Sequence, residues 1–136
     1  MKITLAFNEN YVECSKKFAI ALITLIAFDI AYLKTMNYNK LIDKTLIKKP
    51  INVYSALLTW SLIALAVSAQ YNPINYKHSL TYGMFIGLII YGVYNGTNYT
   101  IFKPYPLQVA LIDSMWGIFV CGIASLSVYY FYHNLK

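Results

Sequence analysis

Arginine is absent from this 136-residue chain, and charged residues of every kind make up only 12% of it. That is about half the share of an ordinary soluble domain. Lysine is the one strong base, and the formal net charge is +6. A nucleic-acid reader would show clustered Arg and Lys on a polar surface with exposed aromatics. Here most aromatics lie inside or beside hydrophobic runs, which suits lysines flanking a membrane and points to no nucleic-acid partner. Cysteine is scarce: Cys14 and Cys121 are far apart, so neither a disulfide framework nor a metal-ligand spacing is present. No P-loop, G-x-S-x-G, H-E-x-x-H or C-x-x-C occurs. A catalytic site, a metal and a cofactor are therefore not expected.

What is present is apolar residue in long blocks. The hydrophobic fraction is 59%, although 14 tyrosines inflate it. The blocks are too long for strands and lack period-two alternation. They predict an all-α fold: a polytopic membrane protein with four transmembrane helices in a single domain over 1–136. The helices fall at about 16–36, 51–69, 79–102 and 107–130. A soluble helical bundle of this length would have too little polar surface to cover such runs.

Local signals set these limits. Ser15 is a candidate N-cap for the first helix, and residues 1–7 are a candidate interfacial stretch. The apolar run 18–33 resembles a signal sequence, but Asp29 interrupts it and no small-x-small cleavage site follows, so a retained helix is expected. Leu41, Ile42, Leu46 and Ile47, with Lys40, Lys44, Lys48 and Lys49, suggest a short amphipathic surface helix in the first connector. Pro50 suits the first turn of the second helix. Asn72-Pro73 marks a polar turn over 70–78, and Lys103-Pro104-Tyr105-Pro106 a tight connector. Four crossings place both termini and the 70–78 turn on one side. Lysines near the helix ends then divide five against six between the two sides, which leaves orientation undecided.

The rare polar residues inside the runs are the candidate site. Asp29, Asn95, Asn98 and Asp113 each fall roughly 6–12 Å along their helices from the same face of the bilayer. Tyr91, Tyr94, Asn95 and Asn98 recur at i, i+3, i+4 and i+7. Asp113 and Trp116, and Asp29 and Tyr32, are spaced i and i+3. Thr59 or Trp60 of the second helix could join them. Ionisable groups at this depth cost several kcal/mol unless paired or wetted, so they are expected to converge in the bundle interior. Two readings stay open: a polar pocket for a solute, ion or lipid headgroup, and hydrogen-bonding glue at about 0.6 kcal/mol per bond. Gly83-x-x-x-Gly87, Gly92-x-x-x-Gly96 and Gly117-x-x-x-Cys121 are small-x-x-x-small pairs that permit close helix approach. Asn95-Gly96-Thr97 and Asn98-Tyr99-Thr100 match the glycosylation pattern, but both lie in or at the membrane and are read as chance. His78 and His133 lie near helix ends on the opposite side.

At these residues the chain resembles the predicted four-helix membrane-protein family catalogued as domain of unknown function 2177, which has members in bacteria and in large DNA viruses. The resemblance runs through all four predicted helices. It rests on Asp29-x-x-Tyr32-Leu33, on Tyr91-Gly92-x-Tyr94-Asn95-x-Thr97-Asn98 and on Asp113-x-x-Trp116-Gly117. This chain carries Asn95 where members more usually carry Asp, which removes a titratable group there. The resemblance implies a membrane location and a four-helix plan, and implies no activity. Richness in Lys, Asn, Ile and Tyr suggests an AT-rich genome, so a viral or protist membrane is an expected setting, a virion internal membrane among them.

The expected function is a non-enzymatic, multi-pass component of a larger assembly, embedded in the lipid bilayer and packed against itself or other proteins. The alternative is a small-solute transporter or channel-like subunit using the Asp/Asn site. A membrane-embedded lipid enzyme ranks third, because two carboxyls without a base, metal or nucleophile make a weak active site.

Overall fold

A computed structural model describes residues 11–35, 52–70 and 75–134, the side chains of the last two excepted. The described residues form four helices: α1 (Tyr11–Thr35), α2 (Val53–Ser68), α3 (Tyr76–Ile101) and α4 (Leu107–Asn134). At 25, 16, 26 and 28 residues, they are about 38, 24, 39 and 42 Å long. The segments Tyr11–Thr35 and Leu107–Tyr132 are long and apolar enough to cross a membrane, and Val53–Ser68 is apolar but shorter. The tyrosines, asparagines and glycines of α3 lower its hydropathy.

Helix starts differ from the sequence expectation in three places, at Tyr11, Val53 and Tyr76 against about 16, 51 and 79. The first helix begins at Tyr11, so Ser15 is inside it and is no cap: its hydroxyl donates back to the Tyr11 carbonyl at 2.8 Å. The cap of α2 is Asn52, whose side chain accepts from the Ser55 N–H. Asn75 caps α3 by accepting from the His78 N–H. A short polar side chain at an extended backbone position satisfies one of the N–H groups a helix start leaves over. The interfacial stretch, the amphipathic connector, Pro50, Asn72-Pro73 and the side chain of His133 lie outside the described residues.

The helices do not pack evenly. Helices α3 and α4 make the most extensive contact, α1 packs on α2 and α4, and α2 touches α3 and α4 only sparsely. The α3–α4 contact follows from small residues in register. Ser79, Gly83 and Gly87 recur every four residues on α3, and Gly117, Cys121 and Ser125 do so on α4. Antiparallel pairing sets Gly83 against the Cys121 carbonyl and Ser125, and Gly87 against Gly117 and Ile118. The row continues with Tyr91, whose ring lies on Gly117. A Cβ at Gly83 or Gly87 would meet backbone atoms, so glycine is what permits the approach. Gly122 adds a place the sequence reading did not single out, where a Cβ would crowd Met84 and Leu80.

The close approach expected at Gly92 and Gly96 is not found among the described residues. A Cβ at Gly92 would reach only the Leu88 side chain, at 3.9 Å, and one at Gly96 would meet nothing within 4 Å. Both are off the 79–83–87–91 row that faces α4, because each residue turns the helix by about 100°. The inner surface is closed by Ala21, Leu25, Ile63, Ala64, Val67, Val120, Cys121, Ala124 and Val128.

Candidate functional site

Asp29 projects from α1 into the bundle and is 8% exposed. Its two oxygens face two different helices. Trp60 of α2 donates its indole Nε1–H to Oδ2 at 2.8 Å, and Trp116 of α4 donates to Oδ1 at 2.7 Å. An indole can only donate, so both carboxylate oxygens act as acceptors. The chain contains two tryptophans, and both are spent on this one carboxylate. Tyr32, one turn after Asp29, stacks on the Trp116 ring at 4.3 Å and an interplanar angle of 4°. Phe119 tilts against the other side of that cluster at 5.5 Å. Trp116 is thereby fixed in orientation as well as hydrogen bonded.

One layer closer to the 103–106 connector, Asn95 joins α3 to α4. It is 1% exposed, and its Nδ2 donates to Asp113 Oδ2 at 2.9 Å and to the Tyr91 carbonyl at 3.0 Å. Its Oδ1 accepts from the Tyr105 hydroxyl at 2.7 Å. The orientation of this amide is decided by its partners: a carboxylate needs the NH2 group, and a phenol O–H needs the carbonyl. Tyr105 reaches Asn95 because the connector turns back on the helix end, with the Tyr105 N–H bonded to the Phe102 carbonyl at 3.2 Å. Burial, with the Asp113 charge adding to it, pushes the Tyr105 phenol above its ordinary range, so the phenol remains a donor to Asn95.

The structure therefore brings together Asp29, Tyr32, Tyr91, Asn95, Asp113 and Trp116. The carboxylates of Asp29 and Asp113 are within electrostatic reach of each other, and each has its own N–H donors. Asn98 sits at the rim, half-buried and in hydrogen-bonding reach of Tyr105. Tyr94 is not part of the group: it is 60% exposed, one residue and so about 100° around the helix from inward-facing Asn95. From α2 the participant is Trp60. Thr59 is exposed, and its hydroxyl bonds the Ser55 carbonyl at 2.9 Å. Asn95, the first residue of one glycosylation pattern, is buried, which agrees with reading that match as chance.

A second polar group closes the other end of the bundle. Gln70, Ser79 and Ser125 are 5%, 0% and 0% exposed. Ser79 Oγ stands 2.7 Å from Gln70 Oε1 and 2.8 Å from the Ser125 carbonyl, so one proton serves two acceptors. Ser125 Oγ donates to the Ser79 carbonyl at 2.6 Å, and Gln70 Nε2 donates to the Ser125 carbonyl at 3.0 Å. Sequence reasoning missed this group. The signal was available, since Ser79 and Ser125 extend the four-residue spacing of the glycine pairs. A third contact lies at the N-terminal end of α1. The Lys17 ammonium sits over the Tyr132 ring at 4.4 Å, and the Tyr132 hydroxyl donates to Glu13 at 2.6 Å.

Asp29, Tyr32, Asn95, Asp113 and Trp116 are also the residues on which the family resemblance turns. The family described as predicted membrane protein, DUF2177, matches residues 14–130. The chain belongs to this family. The matched span covers most of the chain, from the first turn of α1 to near the end of α4. Neither the curated proteins nor the solved structures give a match.

Proposed function

We propose that this DUF2177 protein crosses the bilayer four times as a single domain and serves as a non-enzymatic membrane component, packed against itself or against larger partners. One observation carries the reading: polar groups point inward to one another while large apolar side chains point outward on every helix. Ile23, Leu62, Phe85 and Met115, one from each helix, are 69%, 59%, 61% and 70% exposed. A soluble protein does not present such surfaces on all sides, whereas a bilayer solvates them. The inward polar groups are occupied in joining helices, which suits a structural role better than a reaction centre. A virion internal membrane is one setting that fits a small, lysine-flanked component of this kind.

Single cysteines at positions 44 and 136 test the crossing number. In a background lacking the native thiols they should label from opposite sides of the membrane, and labelling of both from one side overturns the four-span plan. Cysteines at the outward positions Phe85, Val93 and Leu111 test the packing role. Disulfide or bifunctional cross-links to a neighbouring copy or protein in the native membrane are expected, and a chain that stays monomeric at all three positions contradicts it.

The transport reading has one observation in its favour, the proximity of Asp29 to Asp113 at similar depth. A cation flux in proteoliposomes, lost in Asp29→Asn and Asp113→Asn while the fold persists, would displace the assembly reading.

A further inference from the structure

Helix α2 is the least anchored of the four. It is 16 residues long, packs chiefly on α1 and touches α3 and α4 sparsely. Polar contacts hold it at two levels. Near its C-terminal end, the Ala66 carbonyl accepts from the Tyr82 hydroxyl at 2.8 Å, and just beyond, Gln70 joins Ser79 and Ser125. Near its middle, Trp60 donates to Asp29. The first set is neutral and cannot titrate near neutral pH. The second depends on a carboxylate.

We infer that Asp29 is a proton-operated clasp: ionised, it holds Trp60 and Trp116 together, and on taking up one proton it lets go of Trp60, so that α2 swings outward about its Gln70 end. The chemistry is that of acceptors. A carboxylate offers two charged oxygens to N–H donors, whereas a carboxylic acid turns one oxygen into a hydroxyl, a much weaker acceptor with a proton of its own to place, facing an indole that can only donate. One of the two indole bonds is then weakened and is the one released. Trp116 is held independently by the Tyr32 stack and by Phe119, and it is carried by α4, which is locked to α3 through glycine contacts. Trp60 has the weaker support, so the break falls there. The added proton needs a new acceptor, and the nearby Asp113 carboxylate is the candidate. Besides Asp113 and Cys121 on α4, the titratable groups facing Asp29 among the described residues are Tyr32 on α1 and Tyr91 on α3. No described lysine or histidine faces it to fix its charge.

Because both tryptophans of the chain bond to Asp29, intrinsic fluorescence reads the clasp directly. Protein in lipid nanodiscs should show a blue shift of emission on acidification between about pH 9 and about pH 4, a range that spans ordinary and strongly perturbed carboxyls. The shift should follow a one-proton curve and be lost in Asp29→Asn. Two single-tryptophan variants, Trp60→Phe and Trp116→Phe, serve even where Asp29→Asn fails to fold. Each should titrate along a one-proton curve, with the larger shift in the variant that retains Trp60. Spin labels at the exposed positions Tyr54→Cys on α2 and Met115→Cys on α4, with Cys14→Ser, should move apart over the same pH interval. An emission that does not respond to pH, a response that survives Asp29→Asn, a larger shift in the variant that retains Trp116, or an unchanged label distance would each overturn the clasp.

Discussion

The two ends of this bundle solve the same problem with opposite materials. At one end Gln70, Ser79 and Ser125 join three helices through small, neutral, completely enclosed groups. At the other, Asp29 and Asp113 join helices through carboxylates, with bulky indole, phenol and amide donors around them. The serine cluster grows out of the glycine row: where backbones approach closely, a hydroxyl on one helix reaches the carbonyl of the next. The carboxylate cluster lies at the end of the row and beyond it, where side chains as large as Tyr91 and Trp116 take the place of small residues between the helices. Close backbone contact suits small neutral glue, and large side chains with N–H and O–H groups suit a carboxylate that can change charge.

Substitutions can break or sharpen this contrast. The largest effect is expected in the glycine row itself. Gly87→Leu drives a side chain into the Gly117 backbone and should cost about 3 kcal/mol or more, as overpacking of a tight core does. Gly92→Leu, with open space, should cost far less. Unfolding midpoints in detergent compare the two, and equal losses would show that the row is not where the helices are locked. Next comes Trp60→Phe, which leaves one oxygen of a buried carboxylate without its donor and should cost about 2 kcal/mol. Its loss should shrink at acid pH, where the bond is already released, and a pH-independent loss would make the two ends alike. Ser125→Ala should cost about 1 kcal/mol, the range of a hydrogen bond between membrane helices, with no dependence on pH. Smallest of all, Gly96→Ala should leave stability unchanged or raise it by about 0.5–1 kcal/mol, since an exposed helical glycine forgoes the entropy advantage of alanine. A marked loss would reveal a neighbour packed on that face.

The helical class, the number of helices and their positions to within a few residues at most ends were legible in the sequence, because they depend on local quantities: run length, hydropathy and the breakers around 50, 73 and 104. The first helix start was the exception. Ser15 has the chemistry of a cap, but the residues before it are also compatible with helix, and sequence supplies no rule to choose between them. The convergence of Asp29, Asn95 and Asp113 was legible for a related reason. Chain direction alternates from helix to helix, and the level along the bundle follows from counting residues to the helix end.

Helix phase sets which residues can share a face, and the fold then chooses among them. Tyr94 and Asn95 stood on one plausible stripe, and only the position of α4 turned Asn95 inward and Tyr94 out. The same choice engaged Gly83 and Gly87 and left Gly92 and Gly96 outside, although the two pairs are identical as patterns. Partners distant in the chain were beyond reach of any local signal: Trp60 and Trp116, with the whole of α3 between them in the chain, meet on Asp29 only because α1 packs on both α2 and α4. Composition by itself determined that this chain buries its few polar groups and turns its apolar surface outward, since each amino acid's transfer energy belongs to it alone. Which donor each carboxylate received was decided by the tertiary structure, because a hydrogen bond requires two groups to arrive at one place and neither of them carries that information.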